Sequence, residues 1–157
     1  MRKQIIEQAF PEEVFHTGDW INTEELVQVE LSSEAPGHPI EAALSLRAGS
    51  GWRAALPGPQ VIRLRFECPV TLSGVYLLFE ELAQARTQEF VLSWLPEEGP
   101  AYQQIVRQQY TFSPPGTTRQ REAYQVDLRG VKVLELKIVP DISHSIAHAS
   151  LLQLRLR

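Results

Sequence analysis

Short stretches of this chain alternate apolar and polar residues with a period of two, and turn residues separate them. The clearest pair covers 60–66 and 70–80, joined by Glu67-Cys68-Pro69. In the first stretch Ile62, Leu64 and Phe66 point one way while Arg63 and Arg65 point the other. Such a pattern belongs to an antiparallel sheet with one buried face and one wet face. The second stretch changes phase: Val70 and Leu72 share a face, and Val75, Leu77 and Phe79 resume one residue out of step. A slip of this kind at Ser73-Gly74 predicts a β-bulge.

Further strands follow from the same pattern. Ahead of the pair, 25–31 places Val27, Val29 and Leu31 on one face. After it, 87–95 groups Phe90, Leu92 and Trp94, 104–112 groups Val106, Tyr110 and Phe112, and 122–128 buries Tyr124, Val126 and Leu128. Stretch 131–139 buries Leu134, Leu136 and Ile138 and leaves Glu135 and Lys137 outside. The last stretch, 150–157, alternates Leu152, Leu154 and Leu156 with Gln153, Arg155 and Arg157. With turn signals such as Pro96-Glu97-Glu98-Gly99 and Pro114-Pro115-Gly116 between them, these strands predict an all-β sandwich or barrel. Only 40–46 carries helix formers, Glu41, Ala42, Ala43 and Leu44, enough for a turn or two of helix. Residues 1–24 are the least regular. Phe10, Phe15, Trp20 and Ile21 are too apolar for a free tail, while Pro11 and Gly18 break any long helix. The expected organisation is an N-terminal arm over 1–24 packed on one sandwich domain over 25–157.

Composition narrows the function classes. A length of 157 residues suits one domain with a single core. Hydrophobic residues at 43% and charged residues at 22% are ordinary values for a globular chain. The formal net charge of −4 removes the general attraction for phosphates on which non-specific nucleic-acid binding depends. Nucleic acid is therefore not an expected partner. Every apolar run falls short of the ~20 residues needed to span a bilayer. Cys68 is the single cysteine, so no intramolecular disulfide can form. Its neighbours Glu67 and Pro69 activate nothing, and it reads as a small hydrophobe buried at a strand end. The basic start Met1-Arg2-Lys3 is followed by no apolar h-region, and a cytoplasmic location is the expectation.

The order of these parts resembles the galactose-binding-like jelly roll of the discoidin, or coagulation factor 5/8 type C, family. The resemblance covers about 25–157 and rests on particular residues. A first strand is followed by Pro39-Ile40-Glu41-Ala42-Ala43-Leu44 and then by Trp52. A strand from Pro59 through Ile62 and Leu64 to Phe66 comes next, then one from Pro69 through Leu72 to Leu77, and the chain closes with Ala149 through Leu154 to Leu156. The resemblance implies a β-sandwich jelly roll of about eight antiparallel strands with at most one short helix. It also implies a non-enzymatic domain that binds carbohydrates, phospholipid head groups or proteins through loops at one end. A tryptophan at the Trp52 position plugs the end of the core in that family. Many relatives hold a structural calcium ion, but the turn over 44–51 has no Asp or Glu here, and Gln153 stands where an acid is expected. Calcium takes several hard oxygen ligands, so no strong site is expected, and no cofactor is assigned. The disulfide that joins the termini of extracellular relatives is also missing.

Several groups of residues are candidates for ligand contact, each with a plainer structural reading. Asp141, His144 and His148 offer metal-ligating side chains, yet two histidines four apart share a face only on a helix, and this stretch reads as a loop. His144 and His148 are therefore taken as loop residues that touch ligand. Glu81 and Arg86 flank a loop between strong strands and can grip sugar hydroxyls by charge-assisted hydrogen bonds; a solvated hairpin is the plain alternative. Arg107, Gln109 and Tyr110 combine donors with an aromatic platform, although the phase shared with Phe112 also suits Tyr110 for the core. Trp20 is the better tryptophan for exposure. Adjacent carboxylates such as Glu12-Glu13 and Glu97-Glu98 lack the separation a glycosidase needs.

The functional expectation is a non-catalytic carbohydrate-binding module whose partner is a sugar or small polar ligand. A protein-interaction or dimerisation module on the same fold is the alternative.

Overall fold

A computed structural model describes residues 1–4 and 20–157 of the chain. The arm expected over 1–24 lies largely outside the described residues, Phe10 and Phe15 included. At its described end, the Ile21 amide donates to the Leu156 carbonyl at 2.7 Å, tying this segment to the last strand.

The alternating stretches form β1 (Val27–Leu31), β2 (Trp52–Arg53), β3 (Gln60–Glu80), β4 (Arg86–Pro96), β5 (Gln103–Phe112), β6 (Arg119–Val139), β7 (Ser150–Leu151) and β8 (Gln153–Leu156). The helix formers near residue 40 make one short helix, α1 (Ile40–Leu44), and a 3-10 turn covers Thr23–Glu25. Strand order is β1-β3-β6-β4-β5, with β8 also pairing β3 and with β2-β7 as a separate ladder; every pairing is antiparallel. No described helix is long and apolar enough to cross a membrane.

Two pairs of expected strands are each a single bent strand. Stretches 60–66 and 70–80 run on as β3, and 122–128 and 131–139 run on as β6. The bend has a cause in the ladder. Between Arg65 and Val70, β3 advances five residues while its partner moves only from Val133 to Val131. Pro69 has no N–H to donate there, and Gly130 opposite adopts a φ of +67°. The expected bulge at Ser73-Gly74 is present as a register shift between Leu72 and Gly74.

Bending over at this point, β3 and β6 belong to both layers of a sandwich. The first half of β3 lies between β1 and the second half of β6; its second half lies between β8 and the first half of β6. The layers meet face to face where Phe79 stacks on Phe90, with ring centroids 5.2 Å apart. Ile62, Leu64, Leu72, Leu77, Leu92, Leu134, Leu136, Leu154 and Leu156 are among the other residues of the buried core. Trp52 is 1% exposed and plugs it as expected.

Some positions depart from the simple parity. Cys68 is exposed, because the bend carries 67–69 out of both layers. Glu135 is buried and not outside. Arg63 Nε reaches it at 2.7 Å and Lys137 Nζ at 3.6 Å, which makes burial of the carboxylate tolerable. Arg155 is also buried, with Nη1 donating to the Ala43 carbonyl at 3.0 Å. Tyr124, Val126 and Leu128 are half-buried, since they lie toward the bend of β6. Leu152 is half-buried and separates β7 from β8.

One consequence positions the site. Gln60 faces Ile138 and Glu80 faces Arg119, so both ends of β3 and both ends of β6 sit at one end of the sandwich. Connections 32–59, 81–85, 113–118 and 140–149 all emerge there. The bends and the 97–102 connection occupy the opposite end.

Candidate functional site

At the loop-bearing end a cleft of about 280 Å³ opens, lined by His38, Arg53, Glu80, Glu81, Leu82 and Leu152 among others. Its floor is the β2–β7 ladder, where Trp52 pairs with Leu151 and Arg53 with Ser150. Alternation along β2 explains the division of labour. Trp52 turns inward and donates from Nε1 to the Ser33 carbonyl at 3.1 Å, while Arg53 turns outward into solvent. Gly51 permits the close approach: its φ is +73°, and a Cβ there would stand 2.6 Å from the Leu151 carbonyl oxygen.

One wall is the end of β3 and the turn after it. Glu80 accepts from Arg119 Nε at 2.8 Å. Glu81 accepts from Arg86 Nε at 2.8 Å and from the Ala83 amide at 3.2 Å. Burial pushes the Glu81 carboxyl up, but the Arg86 hydrogen bond, the Ala83 and Gln84 amides and the Arg86 charge outweigh it and hold the group below the usual range. Leu82 is 68% exposed at the rim. Among the described residues, nothing ties the Arg53 guanidinium or the His38 ring in a hydrogen bond or ion pair. The cleft therefore combines free cationic and imidazole donors, carboxylate acceptors and aliphatic surface. That mixture suits a small polyhydroxylated ligand.

No family model and no curated protein matches this chain. Solved structures do. The CBM32-3 module of a family 31 glycoside hydrolase from Clostridium perfringens superposes with a TM-score of 0.64 at 12% identity, covering 89% of this chain and 95% of the module. A second Clostridium perfringens module, CpGH89CBM32-5, solved in complex with GalNAc-β-1,3-galactose, gives 0.62 at 13% identity over 88% and 99%. XRCC1, solved bound to the DNA polymerase β catalytic domain, gives 0.59 at 15% identity over 84% and 96%. The fold is the galactose-binding-like jelly roll.

Within this jelly roll the expected contact residues do not gather in one place. Of those, Glu81 lines the cleft. Arg86, expected to grip a ligand, is an internal strut with 4% exposure. Its Nη1 donates to the Pro140 carbonyl at 2.7 Å and to Gln88 at 3.3 Å, and the guanidinium lies 4.8 Å from the centroid of the Phe112 ring. Every face of the group is satisfied by protein, so none remains for a sugar.

Arg107 and Gln109 are exposed on β5, where both reach across to Glu89 on β4, Gln109 at 2.8 Å. Tyr110 is half-buried, its ring edge-on to Phe112 at 5.0 Å. His144 is exposed with a φ of 60°, and His148 is half-buried with Nδ1 3.0 Å from the Ala54 carbonyl. Trp20 is half-buried, its ring 6.0 Å from that of Tyr76. Among the described residues no group of three or more His, Cys, Asp or Glu side chains is placed to hold a metal ion.

Sequence reasoning missed His38, Arg53, Leu82 and Leu152. Arg53 had a signal, since an outward arginine directly follows an inward tryptophan between turn residues. The other three are brought together only by the return of β7 beside β2.

Proposed function

We propose that this chain is a non-catalytic carbohydrate-binding module that takes one sugar ring in the cleft at the loop-bearing end. The observation that carries the reading is that Arg53, whose guanidinium has no hydrogen-bond or ion-pair partner among the described residues, lines one cleft with Glu80, Glu81, Leu82 and Leu152. A volume of about 280 Å³ lies at the small end of ligand pockets, which suits a monosaccharide or a chain terminus. The structural neighbours support it, since CpGH89CBM32-5 was solved with a bound disaccharide.

The non-catalytic part rests on the carboxylates. Glu80 and Glu81 are adjacent, each is committed to an arginine, and Glu81 is held as an anion. A glycosidase acid needs a raised pKa and a partner carboxylate across the scissile bond. Isothermal titration with galactose and GalNAc-β-1,3-galactose tests the reading. Saturable binding is expected, with at least a tenfold loss in Arg53→Ala at an unchanged melting temperature. Absence of binding across a broad saccharide panel contradicts it.

A further inference from the structure

The β1 side of the sandwich has a sheet edge with a groove beside it, lined by residues other than those of the cleft. Two hydrogen bonds set the parity of that edge: the Ser32 amide donates to the Val61 carbonyl at 3.0 Å, and the Glu67 amide to the Leu26 carbonyl at 3.1 Å. In an antiparallel ladder, hydrogen-bonded pairs alternate with non-bonded ones. Gln28·Arg65 and Glu30·Arg63 are then the bonded pairs inside β1. Val27, Val29 and Leu31 turn their backbone N–H and C=O groups outward, and among the described residues nothing accepts or donates to them.

The same three side chains, half-buried, line a groove of about 380 Å³ together with Ile40 and Leu44 of α1. The other lining residues are Glu24, Glu34 and Glu41. Glu34 accepts from the Ile40 amide at 2.6 Å beside the groove. No lysine or arginine lines it. An edge five residues long with no second partner among the described residues, an aliphatic trough and an acidic rim thus coincide.

Each feature selects a property of the occupant. The free amides and carbonyls take an extended backbone as an added strand. The trough takes alternate aliphatic side chains of that strand. The carboxylates, with no lysine or arginine beside them among the described lining residues, take lysine or arginine at its flanks. We propose that β1 is a β-augmentation site for an extended segment of a partner protein, with alternating aliphatic residues bounded by basic ones. A second copy of this chain fits poorly, because pairing β1 with β1 brings the two acidic rims together.

Fluorescence anisotropy with the labelled peptide Lys-Lys-Val-Thr-Val-Thr-Leu-Lys-Lys tests this, beside a control in which glutamates replace the lysines. Val29→Pro is the decisive variant. It removes an outward N–H that β3 does not use, and proline is tolerated at such edge positions, so the fold survives while added-strand pairing is blocked. The double variant Glu24→Lys, Glu41→Lys tests the rim. Expected are saturable binding of the basic peptide, at least a tenfold loss in Val29→Pro at a melting temperature within a few degrees of the parent, and a reversed preference for the acidic peptide in the double variant. The proposal is overturned if the parent shows no saturable binding, or if a folded Val29→Pro binds as well as the parent. It is also overturned if sedimentation shows a dimer that Val29→Pro abolishes, which assigns the edge to a second copy. A sugar titration of the same samples keeps this result separate from the cleft.

Discussion

Arg86 stands at the start of β4 with its guanidinium enclosed by Glu81, Gln88, the Pro140 carbonyl and the Phe112 ring. Four separated parts of the chain meet at one cation, which fixes the turn over 81–85 against the connection that leaves β6. Removing the cation strands a partly buried carboxylate and a buried carbonyl together. Arg86→Met is expected to cost about 2 kcal/mol or more in urea unfolding. A cost below about 0.5 kcal/mol, the range of ordinary surface substitutions, contradicts this role. Burial of this kind was not legible in the sequence. Arg86, Glu135 and Arg155 have charged side chains, and their burial depends on partners such as Pro140, Arg63 and Ala43 that are far away along the chain. Trp52 was legible, because a large apolar side chain in a Gly-rich stretch has few places to go except the core.

Among the elements, the bends in β3 and β6 were half legible. Period-two alternation located both halves of each strand correctly, and the phase slip at Ser73-Gly74 located a register shift. Alternation does not say whether a polar break such as Glu67-Cys68-Pro69 reverses the chain or merely bends it. That choice is made by which strands lie alongside. The connection 140–149 shows the same limit. Its Asp141 and His144 offered a metal-ligating reading, but Asp141 accepts from the Ser143 amide at 3.0 Å and from Ser143 Oγ at 2.7 Å, which folds the loop on itself.

Those bonds make the loop sensitive to acid. The Ser143 hydroxyl, then Ser145 and the Ser143 amide, hold the Asp141 carboxyl below its ordinary value of 3.8, and Glu81 is likewise held below 4.5. Both folded values are lower than the unfolded ones, so the unfolded chain takes up these protons first as pH falls. Their stabilisation is complete above about pH 5 and is lost on acidification through the folded values. The urea midpoint is expected to fall as pH drops below about 5, and to fall less steeply in Asp141→Asn and Glu81→Gln. A slope unchanged by both substitutions contradicts the assignment.

At the scale of the whole molecule, the two bent strands fold the sheet over so that the connections 32–59, 81–85, 113–118 and 140–149 share one end. The cleft exists because of that return. His38 precedes α1, Arg53 sits on β2, Glu80 ends β3, Glu81 opens the turn after it, and Leu152 separates β7 from β8. No local pattern joins these positions, which is why the all-β class was readable while the site was read only at Glu81. The solved neighbours share the architecture at 12–15% identity and therefore speak to the scaffold. What the loops bind is a property of this chain's own side chains.

The most direct test of the sugar-binding reading is a two-dimensional amide NMR titration of the uniformly labelled protein with galactose. Shifts that saturate and cluster at His38, Arg53, Glu81, Leu82 and Leu152 are the expected result. Shifts that fail to appear at saturating sugar, or that centre on Arg107 and Gln109 of β5, contradict a carbohydrate site in the loop-end cleft.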